Sequence, residues 1–370
     1  MSPDYALGEL VPGRPVVVCC GPGGVGKTTI SATFALQAAR AGRRACVITV
    51  DPARRLADAL GVESLPNTPT EVPGDWPGRL DALMLDTKGT FDDLVRQYAK
   101  SPEQVESIRN NRIYQNLAGA LSGTQEYMAM EKLYELTGSG TYDTVVVDTP
   151  PTRNALDLLD APRRLTNFLE NRFFRALLLP TRAYLKAVSV ATRALLRTIS
   201  KVAGTEIVDD AVTFFQAFQG MEEGFRSRAA AVRALLADPS TAYVLVTSPR
   251  PDSVEEAEFF ADKLVGRGIS PAGLVVNRVH PRFGTVGELP PAPEGSELGA
   301  LEDNLRQLDG MAAREEATFA QLVARVAPAP VGRVPLLGSD VHDVEGLGLV
   351  ADQLFGEAPA GPPPAQGGVG

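Results

Sequence analysis

The chain has 370 residues, 44% of them hydrophobic, a formal net charge of −9 and an isoelectric point of about 5.0. That apolar content supports one large domain, or one domain with a sizeable insertion. The acidic balance argues against nucleic-acid binding through the overall field. Three cysteines without a C-x-x-C spacing, and two histidines, leave a structural zinc site or an iron–sulfur cluster little to ligate it, so no zinc is expected.

Residues 1–14 read as an N-terminal tail. Met1–Pro15 carries Asp4 and Glu9 and has no basic region followed by an apolar core, so it does not read as a signal peptide. No stretch has the ~18 uninterrupted apolar residues a spanning helix needs, and the expected location is cytoplasmic.

Val16–Cys20 is a buried-strand candidate, with Cys19, Cys20 and, further on, Cys46 as small buried hydrophobes. Gly21-Pro22-Gly23-Gly24-Val25-Gly26-Lys27-Thr28 follows at once and fits G-x-x-x-x-G-K-[ST] between a strand and a helix. Glycines let the backbone curl until successive N–H groups point at phosphate oxygens, and the helix N-terminus adds a favourable dipole. Gly23, Gly24, Val25, Gly26, Lys27, Thr28 and Thr29 are therefore the candidate phosphate cradle, with Lys27 reaching the β/γ-phosphates and the Thr28 hydroxyl on Mg²⁺. The expected ligand is a nucleoside triphosphate with Mg²⁺, taken as ATP.

Thr28–Ala41 reads as a helix ended near Gly42, and Ala45–Val50 as a second strand running into Asp51-Pro52-Ala53. Pro66–Gly78 is a loop and Leu80–Leu85 a short strand. Phe91–Leu136 is largely helical, broken near Ser101-Pro102 and Ser122-Gly123. Thr144–Val147 is a strand ending in Asp148, at the carboxyl end of a strand next to the phosphate loop, where a metal-coordinating carboxylate belongs. Asp51 also stands at a strand end and can hold or polarise the attacking water. For each aspartate the alternative is a turn or helix-capping residue.

Roughly 90 residues without a clear strand follow Asp148. Between Arg163 and Lys201 nine residues are basic and one, Glu170, is acidic. Arg182, Lys186, Arg193, Arg197 and Lys201 share one helical face, opposite Leu185, Val188, Leu195, Leu196 and Ile199. Three readings stay open: a helix packed on the core with a solvated basic face, a membrane-surface helix, or a groove for a protein client. Any membrane contact would be at most peripheral. Phe214, Phe215, Phe218 and Phe225 have core-packing spacings.

Tyr243–Thr247 and Leu274–Val276 are two further strands. Alternation of strands and helices predicts an α/β protein, a mostly parallel central sheet with helices on both faces in the manner of P-loop nucleotidases, plus a helical insertion. The expected divisions are a core first part at 15–160 that includes helices at 87–140, the insertion at 161–240, and a core second part at 241–356. That second part carries a mobile loop at 282–298, and a disordered tail follows at 357–370.

Taken together the motifs resemble those of the arsenite-pump and tail-anchored-protein-targeting ATPases, within the deviant Walker A class that includes the MinD and ParA proteins. The likeness is greatest to bacterial members that occur as paired, unlike subunits, and runs from about Val16 to Phe355. Gly23–Thr29 matches the family's P-loop. Asp51-Pro52-Ala53 with Leu56–Gly61 resembles its switch I, and Asp148–Thr152 with Leu156–Asp160 its switch II. Leu274–Arg278 resembles its adenine-contacting strand, and Val334-Pro335-Leu336 its base-closing segment.

The resemblance implies an ATPase that works as a dimer closing over nucleotide. It implies Asp51 and Lys27 as catalytic residues, Thr28, Asp51 and Asp148 as the Mg²⁺ set, and Asn277 and Pro335 as adenine contacts. Two departures matter. The family's signature lysine is replaced by Pro22, so a homodimer would lack a cross-subunit charge in both sites. A heterodimer with a paralogous ATPase subunit that keeps the lysine is expected, the alternative being a homodimer in which Arg54 or Arg55 substitutes. A subunit that binds ATP but scarcely hydrolyses it is the second functional reading. No cysteine follows Asn277, so the zinc-joined dimer of eukaryotic members is not expected. The three cysteines do not assemble the arsenite triplet of the pumps either.

Overall fold

A computed structural model describes residues 7–8, 10–51, 53–112, 114–115, 124–150, 160–163, 166, 210, 213–214, 216–282, 293 and 295–356. Contacts divide the chain into two compact units: 1–84 with 136–156 and 239–370, and 85–135 with 157–238. The helices at 87–140, grouped above with the core, thus fall mostly with the insertion. Within that unit Phe91 and Tyr98 of this segment both meet Phe225, at 6.2 and 5.3 Å.

The first unit is built on an eight-stranded sheet in the order β3-β4-β2-β5-β1-β6-β7-β8. Its strands are β1 (Val16–Cys20), β2 (Arg44–Thr49), β3 (Thr70–Glu71), β4 (Arg79–Met84), β5 (Thr144–Asp148), β6 (Thr241–Thr247), β7 (Gly273–Val279) and β8 (Val331–Pro335). All neighbours are parallel except the β3–β4 pair at one edge. The α/β, mostly parallel P-loop architecture expected from the sequence is the one found.

β1, β5 and β6 are buried at every residue. That explains their continuous Val-rich runs, since a parallel strand covered on both faces has no polar side to alternate with. Val17, Val47, Val146, Val244 and Val275 share one face and pack under α2 (Lys27–Arg40) and α10 (Val344–Phe355). Phe34 of α2 meets Phe355 of α10 edge to face at 5.1 Å. The alternate positions face the other side, where α8 (Pro251–Val265) packs on β6 and α9 (Glu297–Val326) on β7. The remaining helices of this unit are α1 (Leu10–Gly13) and α3 (Arg55–Leu60).

Several boundaries differ from expectation. β6 and β7 extend beyond Tyr243–Thr247 and Leu274–Val276, because ladder pairing is a backbone property and carries through Thr241 and Asn277. The loop expected to reach Leu298 ends earlier: Ser296 caps α9, its Oγ accepting from Gly299 N at 3.1 Å. Residues 283–292 lie outside the described set. The N-terminal segment is no loose tail at its inner end, since Leu7 is 1% exposed. Its methyl groups fill the space above Gly273 and Gly332, where an added Cβ would lie 2.9 and 2.2 Å from them.

The second unit contains α4 (Thr87–Tyr98), α5 (Pro102–Arg109), most of α6 (Thr124–Gly138) and α7 (Glu222–Ala237). Ser101 caps α5, which accounts for the break expected there. The break expected near Ser122-Gly123 lies outside the described residues. Phe214, Phe218 and Phe225 are buried, with ring centroids 5.6 Å apart for the first pair and 5.0 Å for the second. Phe225 also meets Tyr98 at 5.3 Å. Arg228 pairs with buried Glu131 and lies 4.2 Å over the Tyr134 ring. Phe215, the basic face between Arg182 and Lys201, and the apolar face opposite it lie outside the described residues. Among the described residues no helix is long and apolar enough to cross a membrane.

Candidate functional site

Because β1, β2, β5, β6 and β7 are parallel, their carboxyl ends reach one edge of the sheet together, and ligands of open α/β sheets bind at such an edge. Gly21–Gly26 leave the end of β1 there and α2 opens at Lys27. The curl depends on Gly26, whose φ is +90°. A Cβ added to it would meet the Asn277 side-chain nitrogen at 2.3 Å, so any side chain would be both strained and obstructed.

Lys27 is 5% exposed. Its ammonium donates to the Pro22 carbonyl at 2.7 Å and spans the loop it belongs to. Burial lowers its pKa, and Asp148 acts in the opposite sense. On the far side of the loop, the Asn277 amide donates to Val25 O at 2.8 Å and the Arg278 guanidinium to Gly24 O at 3.1 Å. The end of β7 therefore staples the loop through two successive carbonyls. Arg278 does this from a left-handed backbone, φ 64°, at an irregularity in the β7–β8 ladder. Such a conformation in a non-glycine residue is often found at functional positions. Asn277, expected to contact adenine, holds the P-loop here.

Asp148, at the end of β5, is 1% exposed. Its Oδ2 accepts from the Thr28 hydroxyl at 2.7 Å and from the Thr49 hydroxyl at 2.9 Å. Its Oδ1 is buried and has no hydrogen-bond partner among the described residues. Burial raises the carboxyl pKa to about 6, with the two hydroxyl donors and Lys27 acting against the rise. A buried unpaired carboxylate oxygen is costly unless something meets it. An oxygen-preferring divalent cation suits that donor set, because Mg²⁺ is usually held by one or two protein oxygens plus phosphates and water. Among the described residues, no group of three or more His, Cys, Asp or Glu side chains could hold a metal, so Mg²⁺ here would need the nucleotide as co-ligand.

Asp51 is 15% exposed. Its Oδ1 accepts from Ala53 N at 2.9 Å, the turn contact weighed above as the alternative, and its Oδ2 lies 3.5 Å from Arg55. Gly24, Gly26, Lys27, Thr28, Thr29, Asp51, Asn277 and Pro335 all line one cavity of about 400 Å³, within the range of small-molecule sites. Gly23 and buried Val25 complete the loop without lining the cavity, and Asp148 is buried behind Thr28. The sequence reading gave no role to Arg278, Ser339, Asp340 or Val341, which also line the cavity. Arg278 stands inside a quoted motif, but nothing in one sequence marks a side chain that turns back onto a distant loop. All three cysteines are buried, and desolvation pushes the Cys19 and Cys20 thiols up to about 12, away from the reactive thiolate.

A sequence model of the anion-transporting ATPase family matches residues 14–284. An uncharacterized protein of Streptomyces coelicolor is 32% identical over 261 residues, 70% of this chain and 61% of its own length. An ATPase ASNA1 homolog of Cryptosporidium parvum is 29% identical over 260 residues, 70% of this chain and 63% of its own. ATPase ARSA2 of Chlamydomonas reinhardtii is 26% identical over 368 residues, 98% of this chain and 90% of its own. The match thus spans somewhat under two thirds of the first two relatives.

Proposed function

Because this chain belongs to the anion-transporting ATPase family, we propose that it is a Mg²⁺-dependent ATP hydrolase whose nucleotide cycle switches the conformation of a dimer. The observation that carries the reading is the shared cavity. Lys27, Thr28 and Asp51 wall one space on a curled glycine loop, and behind it stands a carboxylate oxygen of Asp148 with no partner among the described residues.

In this reading backbone N–H groups of Gly23–Lys27 cradle the phosphates, and the Lys27 ammonium exchanges the Pro22 carbonyl for phosphate oxygens. Thr28 and Asp148 hold the cation, with Asp51 closing the Mg²⁺ set from switch I. Bound Mg²⁺ supplies charge neutralisation of the phosphate oxygens. Asp51 orients the attacking water and accepts its hydrogen bond. Pro335, and Asn277 once released from Val25, flank the base.

Pro22 supports the finer proposal of a heterodimer with a paralogue that carries the signature lysine, because a proline offers no cation to a facing subunit. It equally supports the second reading, an ATP-gated binding subunit with little turnover. Both readings leave room for a protein client on the second unit.

Single-turnover hydrolysis separates them. Asp51→Asn should lower the rate by about 10²-fold or more, a larger loss than the accompanying one in Mg²⁺-ATP affinity. ATP-dependent dimerisation without turnover, in the isolated chain and with the paralogue alike, would establish the binding module instead.

A further inference from the structure

We propose that Arg55 is this chain's own γ-phosphate sensor, a cation that meets the terminal phosphoryl group from within the same subunit and so separates a nucleoside triphosphate from a diphosphate. The inference rests on the ATPase reading above and assigns a residue that it left without a role.

Two arginines follow Asp51-Pro52-Ala53, and the fold sends them different ways. The Arg54 guanidinium donates to the Glu63 carbonyl and lines a separate hollow with Leu56 and Leu65. Arg55, the first residue of α3, lines the nucleotide cavity with Lys27, Thr28 and Asp51.

Three cations line that cavity among the described residues: Lys27, Arg55 and Arg278. Lys27 and Arg278 are each engaged on a P-loop carbonyl, at 2.7 and 3.1 Å. Arg55 instead faces Asp51, four residues earlier in the chain, at 3.5 Å, with 61% of its side chain exposed. An ion pair that long and that exposed contributes about 0–1 kcal/mol. It is easily exchanged for a γ-phosphoryl group, which carries more charge and presents oxygens in the fork geometry a guanidinium prefers.

The exchange has two effects. The triphosphate gains a charge-assisted contact that a diphosphate cannot make. Asp51 loses its arginine and is left to hold water. Hydrolysis then forms a bond from the water oxygen to the γ-phosphorus, breaks the bond to the β–γ bridging oxygen and passes the water's proton to a phosphate oxygen, giving ADP and inorganic phosphate. A lysine from a facing subunit would add to this charge, and Arg55 does not depend on it.

The test is calorimetric binding of a non-hydrolysable ATP analogue and of ADP, each with Mg²⁺, to the full chain and its Arg55→Ala, Arg55→Lys and Arg54→Ala variants. Arg55→Ala should weaken the analogue by about tenfold or more and ADP by less than about twofold, with Arg55→Lys between. Arg54→Ala should leave the ratio of the two affinities unchanged. In single-turnover hydrolysis, added guanidinium should restore part of the rate lost in Arg55→Ala. An analogue-to-ADP ratio in Arg55→Ala within about twofold of wild type overturns the assignment, as does an equal loss of both nucleotides, which marks a structural role. Wild-type chain that binds neither nucleotide sinks the ATPase reading and Arg55 with it. Wild-type binding with an unmoved ratio sinks Arg55 alone.

Discussion

Asp148 shows how burial and function are set against each other in one side chain. Its folded pKa, about 6, is above the ordinary 3.8, so burial favours the neutral carboxyl. The stabilisation from that neutral form is complete below about 3.8 and is lost as pH rises through about 6. Asp148→Asn stays neutral throughout. Without Mg²⁺ or nucleotide, urea unfolding should show wild type losing about 1 kcal/mol relative to the variant between pH 5 and pH 8. A constant difference would mean that the carboxylate is better solvated than its burial indicates. With Mg²⁺-ATP present the ordering should reverse, since the charge then has a partner and the variant has one ligand fewer.

The join between β1, the P-loop and α2 is set by backbone conformation as much as by side chains. Gly26→Ala would place a methyl group against the Asn277 amide at a φ that costs an alanine about 1 kcal/mol or more. It should cut Mg²⁺-ATP affinity by about tenfold or more in an equilibrium titration while far-UV circular dichroism is unchanged. The N-terminal segment makes the second test at this scale. Leu7 is buried over Gly273 of β7 and Gly332 of β8, so Leu7→Ala should destabilise the first unit by about 2–4 kcal/mol in chemical denaturation. A loose tail would give less than about 0.5 kcal/mol.

Across the whole molecule, the nucleotide cavity and the aromatic cluster belong to different compact units. Phe225→Ala removes the ring that meets Tyr98 and Phe218 and should cost the second unit about 3–5 kcal/mol. Hydrogen exchange should report that loss across α4 and α7, and Mg²⁺-ATP affinity should stay within about threefold. Conversely, Mg²⁺-ATP at about a hundred times its dissociation constant should stabilise the first unit by about 2.7 kcal/mol. Thermal denaturation with and without the ligand checks the direction.

The residues from Val16 to Arg40 determine their own local structure. An apolar run, a glycine-rich turn and an alanine-rich helix each follow from short-range sterics and burial, which is why strand, loop and helix were legible in the sequence. The strand-end positions of Asp51 and Asp148 were legible for the same reason. β8 was not, because Val331–Pro335 carries Gly332 and Pro335 and is a strand only through pairing with β7. Nor was the burial of Leu7, whose niche is cut by glycines far along the chain. The sequence names two arginines after Ala53 without ranking them, and only the packed structure turns Arg54 to Glu63 and Arg55 into the cavity. Local propensity is written in neighbouring residues. The direction of a long charged side chain depends on which distant groups the fold brings within hydrogen-bond reach.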